Sequence, residues 1–280
     1  MPGLGTTFGR GGATTFLQDL QNADCILIEG SNFAECHPVG FRFVMKAKER
    51  GAKIIHVDPR FTRTSALADV YAPIRSGTDI VFLGGIINWV LQSGRYFQEY
   101  VASFTNASNI VCQEFADTED LDGIFSGFKS GADASTTSQA LEGAADSRRD
   151  AAEPTAYDES SWRYERDDND AVRTDPALEH PRCVLQVLKR HFSRYTADMV
   201  ESVCGTPRAQ FEEICETIAS NSGRERTTAF AYAVGWTQHT VGVQYIRTAS
   251  ILQLLLVTSG GQAGASWRFA VTQTSKAPPT

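Results

Sequence analysis

The sequence predicts an α/β fold: parallel sheet strands flanked by helices, dinucleotide-binding-like, with a long irregular acidic insertion. Two observations carry this. Short apolar runs alternate with stretches of helical periodicity on both sides of the insertion, the pattern of strand–helix–strand units. The runs end in Gly, Asn or Asp, as at Gly30-Ser31-Asn32 and Asp58-Pro59-Arg60, and open parallel sheets bind ligands outside those strand ends.

The elements follow in order. Asp24 to Gly30 reads as a short buried strand. Pro38 to Arg50 has Val39, Phe43, Val44 and Ala47 at helical spacing, with Pro38 suited to the first turn and Gly51 to the stop. Lys53 to Val57 is the next strand, Thr62 to Asp69 a short helix and Val70 to Pro73 a third strand. Gly77-Thr78-Asp79 opens an apolar helix running from Ile80 to Gln92. Beyond the insertion come a helix at His180 to Phe192 and one from Thr206-Pro207 to about Ala219. Thr227 to Val234 is a further strand, and Gly235 to His239 leads into a helix ending at Leu256. The expected organisation is a first α/β cofactor-binding segment at 1–115 and a partly disordered acidic insertion at 116–178. A second α/β segment at 179–256 and a tail at 257–280 complete it.

Charge is distributed unevenly. From Asp117 to Glu179 there are 17 acidic and 6 basic residues, a balance of −11, whereas the remainder stands at +4. A mildly basic body suits an anionic ligand. No basic stripe for nucleic acid is present, and no apolar run approaches the roughly 20 residues of a membrane helix. No nucleic-acid partner and no membrane contact by this chain are expected. With no signal pattern, the expectation is a cytoplasmic chain as encoded. Six cysteines lack C-x-x-C spacing, which disfavours zinc or an iron–sulfur cluster within the chain and favours buried free thiols. No metal ligand is assigned.

Four strand tips carry candidate chemistry. Gly30, Ser31, Asn32 and Glu35, before the helix at Pro38, offer backbone N–H groups for a phosphate or nucleoside hydroxyl. An ordinary strand–helix turn capped by Glu35 is the alternative. Asp58 could accept the N–H groups of guanine or the hydroxyls of ribose, and Arg60 could pair with phosphate. The alternative is a structural Asp–Arg ion pair. Gly77 and Asp79 place a second carboxylate at a helix start, where N-capping competes as an explanation. Gly235, Trp236, Gln238 and His239 combine a ring able to stack, an amide and an imidazole at a strand end. There is no G-x-G-x-x-G, no G-x-S-x-G and no H-E-x-x-H, and no nucleophile–base pair by spacing, so no catalytic residue is assigned.

The segments H-P-V-G-F, V-D-P-R-F-T-R-T, A-P-I-R-S-G-T-D-I, H-P-R-C-V, C-G-T-P and G-W-T-Q-H-T-V-G resemble the large subunit of respiratory-type formate dehydrogenases. These belong to the bis-pterin guanine dinucleotide enzymes of the dimethyl sulfoxide reductase superfamily. The resemblance runs from about Gly3 to Leu256. It implies formate oxidation to CO2 with two-electron transfer, at bis-molybdopterin guanine dinucleotide carrying molybdenum or tungsten. It implies that Asn32 and Glu35 line one nucleotide, that Asp58, Arg60, Gly77 and Asp79 hold its guanosine and phosphates, and that Gly235, Trp236 and Gln238 approach the pterin. It implies formate as substrate and an iron–sulfur electron-transfer subunit as partner, with the intact enzyme periplasmic or membrane-associated as an alternative to cytoplasmic.

The family's 4Fe–4S cysteines and its metal-bound selenocysteine or cysteine, followed by histidine, precede the stretch resembling P-G-L-G-T-T-F-G-R-G. After Leu256 the family pattern G-N-I-G, then A-L-R-G-H with the active-site arginine, gives way to V-T-S-G-G-Q-A-G. Adding one base to a back-translation near Val257 restores that pattern, so a frameshifted, poorly packing tail at 257–280 is expected. On this reading the chain is a fragment that is inactive alone. A stand-alone guanine-nucleotide or pterin-binding module without redox activity is the alternative, and the central domain of a thiamine-diphosphate enzyme is a weaker one.

Overall fold

The structure, a computed structural model, describes residues 2–9, 11, 13, 16–130, 155–223, 225–256 and 271–273. In chain order the first elements are α1 (Pro2–Phe8), β1 (Cys25–Glu29), α2 (Phe33–Cys36), α3 (Pro38–Glu49), β2 (Lys53–Asp58) and α4 (Arg63–Leu67). Next come β3 (Val70–Pro73), α5 (Asp79–Gln92), α6 (Gln98–Phe104), β4 (Phe128–Ser130), β5 (Thr155–Tyr157) and α7 (Val184–Phe192). The last are α8 (Ala197–Cys204), α9 (Arg208–Ser220), β6 (Thr228–Tyr232), α10 (Val234–Thr237), α11 (Gly242–Leu255) and β7 (Val271–Gln273). The chain divides into two compact units, Met1–Val101 with Phe192–Thr280, and Ala102–His191.

The first unit is built on a sheet of order β3-β2-β1-β6-β7 in which every pair is parallel. This is the α/β architecture that the alternating runs predict. β1 and β6 are buried at all five positions, as strands covered on both faces must be. On one face, Phe41, Phe43, Val44 and Ala47 of α3 pack over Ile26, Ile28, Ile54, Ala229 and Ala231. Helix α5 buries Phe82, Leu83, Ile86, Ile87, Val90 and Leu91 and packs with α8, α9 and α11. Proline at its first turn and the near-absence of helix breakers explain α3, which ends where Gly51 takes φ +96°.

The chain steps from β1 to β2 to β3 on one side, then returns to add β6 on the other side of β1. This reversal between β1 and β6 is a topological switch point. Both strands turn at once into single-turn helices, α2 and α10. The strand expected to reach Val234 therefore stops at Tyr232. The helix expected from His180 starts at Val184 instead, because the Asp175 carboxylate gathers the N–H groups of Ala177, Glu179 and His180 at 3.0, 2.7 and 2.6 Å into a turn.

The second unit holds the antiparallel pair β4–β5 and isolated bridges such as Ile110 with Cys183 and Val111 with Tyr164. The Arg182 guanidinium donates to the carbonyls of Val111 and Phe115 at 3.1 and 2.9 Å, and to that of Cys112. Arg190 pairs with Asp117 at 2.7 Å and Asp120 at 2.9 Å, so part of the acidic excess is neutralised within the unit. Residues 102–115 and 179–191 thus fold with the acidic segment. Of the insertion expected to be partly disordered, 116–178, the stretch 131–154 lies outside the described residues. So does the expected poor packing of 257–280, except at β7, whose backbone pairs with β6.

Ile26 is fully enclosed in the core. Ile26→Ala should cost about 2–5 kcal/mol of stability, read from urea unfolding as a lowered midpoint at unchanged slope.

Candidate functional site

The carboxyl ends of β1, β2 and β6 and the start of α5 surround a cleft of about 420 Å³ at the switch point. It brings together nine of the residues singled out in the sequence: Gly30, Ser31, Asn32, Asp58, Arg60, Gly77, Asp79, Gly235 and His239. Glu35, Trp236 and Gln238 stand outside its lining.

Two glycines make the cleft. Gly30 adopts φ +62°, and its carbonyl accepts the Gly235 N–H at 3.1 Å. A Cβ on Gly235 would lie 2.6 Å from that same oxygen, a distance that backbone cannot relieve without moving a strand tip. Ser31 lines the cleft next to this contact, and its buried hydroxyl has no hydrogen-bond partner. A buried hydroxyl without a partner is costly unless a ligand completes it.

The remaining walls are held by local hydrogen bonds. The Asn32 amide donates to Glu35, and its oxygen accepts the Thr64 hydroxyl at 3.1 Å. Glu35 is 3.2 Å from Arg63. Glu35 therefore holds Asn32 in place from outside the lining, and no side chain caps α2 or α3. Asp58 accepts the backbone N–H of Arg60 at 2.9 Å, which leaves the Arg60 side chain exposed at the cleft.

Behind Ser31 and Asp58 lies His56, fully enclosed within β2. Its Nδ1 is 2.8 Å from the Ser65 hydroxyl, whose oxygen already accepts the Thr62 N–H at 2.8 Å. The Ser31 carbonyl beside Nε2 can only accept, which assigns the proton to Nε2 and leaves Nδ1 to accept the Ser65 hydroxyl. Nε2–H then donates to the Ser31 carbonyl at 3.2 Å and faces Asp58 at 3.9 Å. Burial holds this imidazole below the ordinary range, with Asp58 opposing.

On the far wall, Asp79 is buried and accepts the Trp236 indole N–H at 3.1 Å. Burial raises the Asp79 carboxyl, and its own backbone N–H, Glu29 and Trp236 oppose the shift. N-capping does not explain this residue, since no side chain caps α5. Trp236 is 1% exposed and stacks on Tyr232 at 4.8 Å. Its expected stacking on a ligand ring is not what the structure provides, because its faces are enclosed in the core; it anchors Asp79 instead. Gln238 is exposed, and His239 shares a 3.1 Å hydrogen bond with the Tyr245 hydroxyl.

Sequence reasoning missed His56, Glu29, Thr62 and Ser76 as parts of the site or its support. A signal existed for two of them: a polar residue in the apolar runs KIIHVD and CILIEG. His37 also lines the cleft, half-buried. Five of the six cysteines are buried, and Cys36 is exposed at the cleft wall. Burial pushes the Cys25 thiol up to about 12 and the Cys204 thiol to about 11, which removes them as nucleophiles. Among the described residues no group of three or more His, Cys, Asp or Glu could hold a metal ion. The cleft thus offers carboxylate acceptors, hydroxyl and guanidinium donors, and close backbone approach, a set suited to a nucleotide.

The sequence pattern of the molybdopterin oxidoreductase family matches residues 5–277. The nitrate-inducible formate dehydrogenase major subunit of Escherichia coli (strain K12) is 48% identical over 262 residues, 93% of this chain and 23% of that protein. The formate dehydrogenase subunit alpha of Megalodesulfovibrio gigas is 43% identical over 261 residues, again 93% of this chain and 23% of that protein. The chain therefore spans about a quarter of the length of these relatives. Among solved structures, acetylene hydratase from Pelobacter acetylenicus shares the fold, with a TM-score of 0.56 and 18% identity over 91% of this chain and 24% of that one.

The His56 strut makes the site sensitive to acid. Its folded imidazole lies below the ordinary 6.5, so its contribution to stability is fully present above 6.5. It is lost as pH falls from there through the lower folded value. His56→Gln should flatten the acid-side fall of the urea midpoint between pH 6.5 and 5; an unaltered fall would contradict the strut.

Proposed function

The chain belongs to the molybdopterin oxidoreductase family, and we propose that it is the part of a formate dehydrogenase catalytic subunit that cradles the guanosine and phosphates of a molybdopterin guanine dinucleotide. The observation that carries this reading is the unpartnered Ser31 hydroxyl beside the Gly30–Gly235 contact. It is a buried donor and acceptor at the switch point, where the backbone comes close enough to touch a phosphate or ribose.

The residues fit the group. Ser31 and the backbone after Gly30 would meet a phosphate or ribose hydroxyl, with Asn32 fixed beside them by Glu35 and Thr64. Asp58 and Asp79 would accept N–H groups of the guanine edge or ribose hydroxyls. Arg60 would pair with phosphate, its exposed guanidinium being free to swing over the cleft mouth. His37 and His239 would close the walls. When bound, the molybdenum- or tungsten-carrying pterin supplies the two-electron chemistry of formate oxidation.

Membership of the family implies a molybdopterin cofactor. The bis-guanine-dinucleotide form, the choice of metal and a 4Fe–4S cluster elsewhere in the subunit are parts of the proposal. So are formate as substrate and an iron–sulfur electron-transfer subunit as partner. No catalytic group is assigned within these residues, and the chain by itself is proposed to be inactive. Among the described residues no helix is long and apolar enough to cross a membrane.

Calorimetric titration of the chain with GDP and ADP tests the cradle. GDP should bind, and ADP at least about tenfold more weakly, because a carboxylate that accepts from guanine meets no matching donors on adenine. Asp58→Asn and Asp79→Asn should each lower GDP affinity, the larger loss marking the guanine acceptor and amounting to about 1.5–3 kcal/mol. Equal affinity for the two nucleotides, or no binding, would overturn the reading.

A further inference from the structure

Glu29, the last residue of β1, sits directly beneath the cleft. It is 1% exposed, and neither carboxyl oxygen has a donor of its own; within hydrogen-bonding reach are the Asp79 carboxyl and the Trp236 indole. In the sheet it lies between Val57 and Tyr232. The groups acting on it come from each neighbouring element: Asp79 from α5, Asp58 from the end of β2 and the Trp236 indole from α10. Glu29 in turn acts on Cys204 at the end of α8 and Tyr245 on α11. None of these groups is a cation. His239, which faces Asp79, is hydrogen-bonded to Tyr245. The indole N–H, the nearest donor, is already given to Asp79 at 3.1 Å.

A buried carboxylate with no donor of its own and no cation, in hydrogen-bonding reach of a second carboxylate, is a state that proteins avoid by protonation. We propose that Glu29 and Asp79 form a buried acid pair holding one proton at neutral pH, with Glu29 as its neutral member. Burial first and Asp79 second push the Glu29 carboxyl well above its ordinary range, in the same direction. Asp79, fixed by Trp236 and facing the cleft, is then the ionised acceptor. The floor of the cleft carries a single negative charge, and Glu29 is a positioning residue that backs Asp79 without repelling it. The consequence for recognition rests on the nucleotide reading: the floor would take N–H and O–H donors of a nucleoside and turn its phosphates toward Arg60.

The test is infrared spectroscopy of the ligand-free chain in heavy water, where a protonated carboxyl absorbs apart from carboxylates. At neutral pH the wild type should show this band. Glu29→Gln should abolish it, Asp79→Asn should retain it, and Glu213→Gln on exposed helix surface should leave it unchanged. No band in the wild type would overturn the proposal, as would a band kept in Glu29→Gln and lost in Asp79→Asn. Stability gives a second reading. A folded value raised above 4.5 means stability present below 4.5 and lost as pH rises through the folded value. Above pH 4.5 the unfolding constant of the wild type should therefore climb relative to Glu29→Gln by about tenfold per pH unit. Parallel curves would overturn the proton assignment. Neither measurement uses a nucleotide, so a chain that binds no GDP would fail the cofactor reading while the proton count stands or falls separately.

Discussion

The hydrogen bond from Gly235 to the Gly30 carbonyl, 3.1 Å long, joins the tips of β1 and β6 at the point where strand order reverses. Everything at the cleft is referred to it. Because neither glycine carries a Cβ, the two tips approach until backbone meets backbone, and the following residues turn away on opposite sides into α2 and α10. The space between those turns is the cleft. Ser31 and Asn32 enter it from one side, Asp79 from below through Trp236, and His239 from the other. A Cβ on Gly30 would press on Trp236 at 3.0 Å and one on Gly235 on the Gly30 carbonyl at 2.6 Å, so a side chain at either glycine would force the tips apart.

The site is held by buried polar groups whose protonation states are fixed by their surroundings. His56 is neutral because its ring is enclosed and its Nδ1 must accept from Ser65. That single tautomer ties the β1 tip, through the Ser31 carbonyl, to the turn that presents Asp58 and Thr62. Glu29 and Asp79 divide one cost between them. Two ionised carboxyls so enclosed would repel, whereas one acid and one carboxylate can coexist. Both devices lie beneath the cleft, where they fix the geometry of atoms that a ligand would touch.

Much of this was legible in the sequence. DCILIEG and KIIHVDPR read as buried strands from their unbroken apolar runs, and glycine, asparagine and aspartate at their ends marked the cleft. What the one-dimensional pattern could not give was the direction in which tip side chains turn. Asn32 and Glu35, three residues apart on the same side of a single turn, hydrogen-bond to each other, yet only Asn32 lines the cleft while Glu35 braces it from outside. Trp236 looked like a stacking platform, but its partner in the core, Tyr232, lies four residues earlier on β6. The second unit was less legible, because isolated bridges such as Asn109 with Thr174 join distant residues without any periodicity to announce them.

The central claim is a place: a guanine nucleotide bound at the switch point of the first unit. Hydrogen exchange of the chain with and without GDP reads that place directly. The account predicts slowed exchange in 30–37, 58–65, 76–79 and 233–239, the segments around the cleft, with 102–191 unchanged. Protection confined to the second unit, or spread evenly over the sheet, would contradict it.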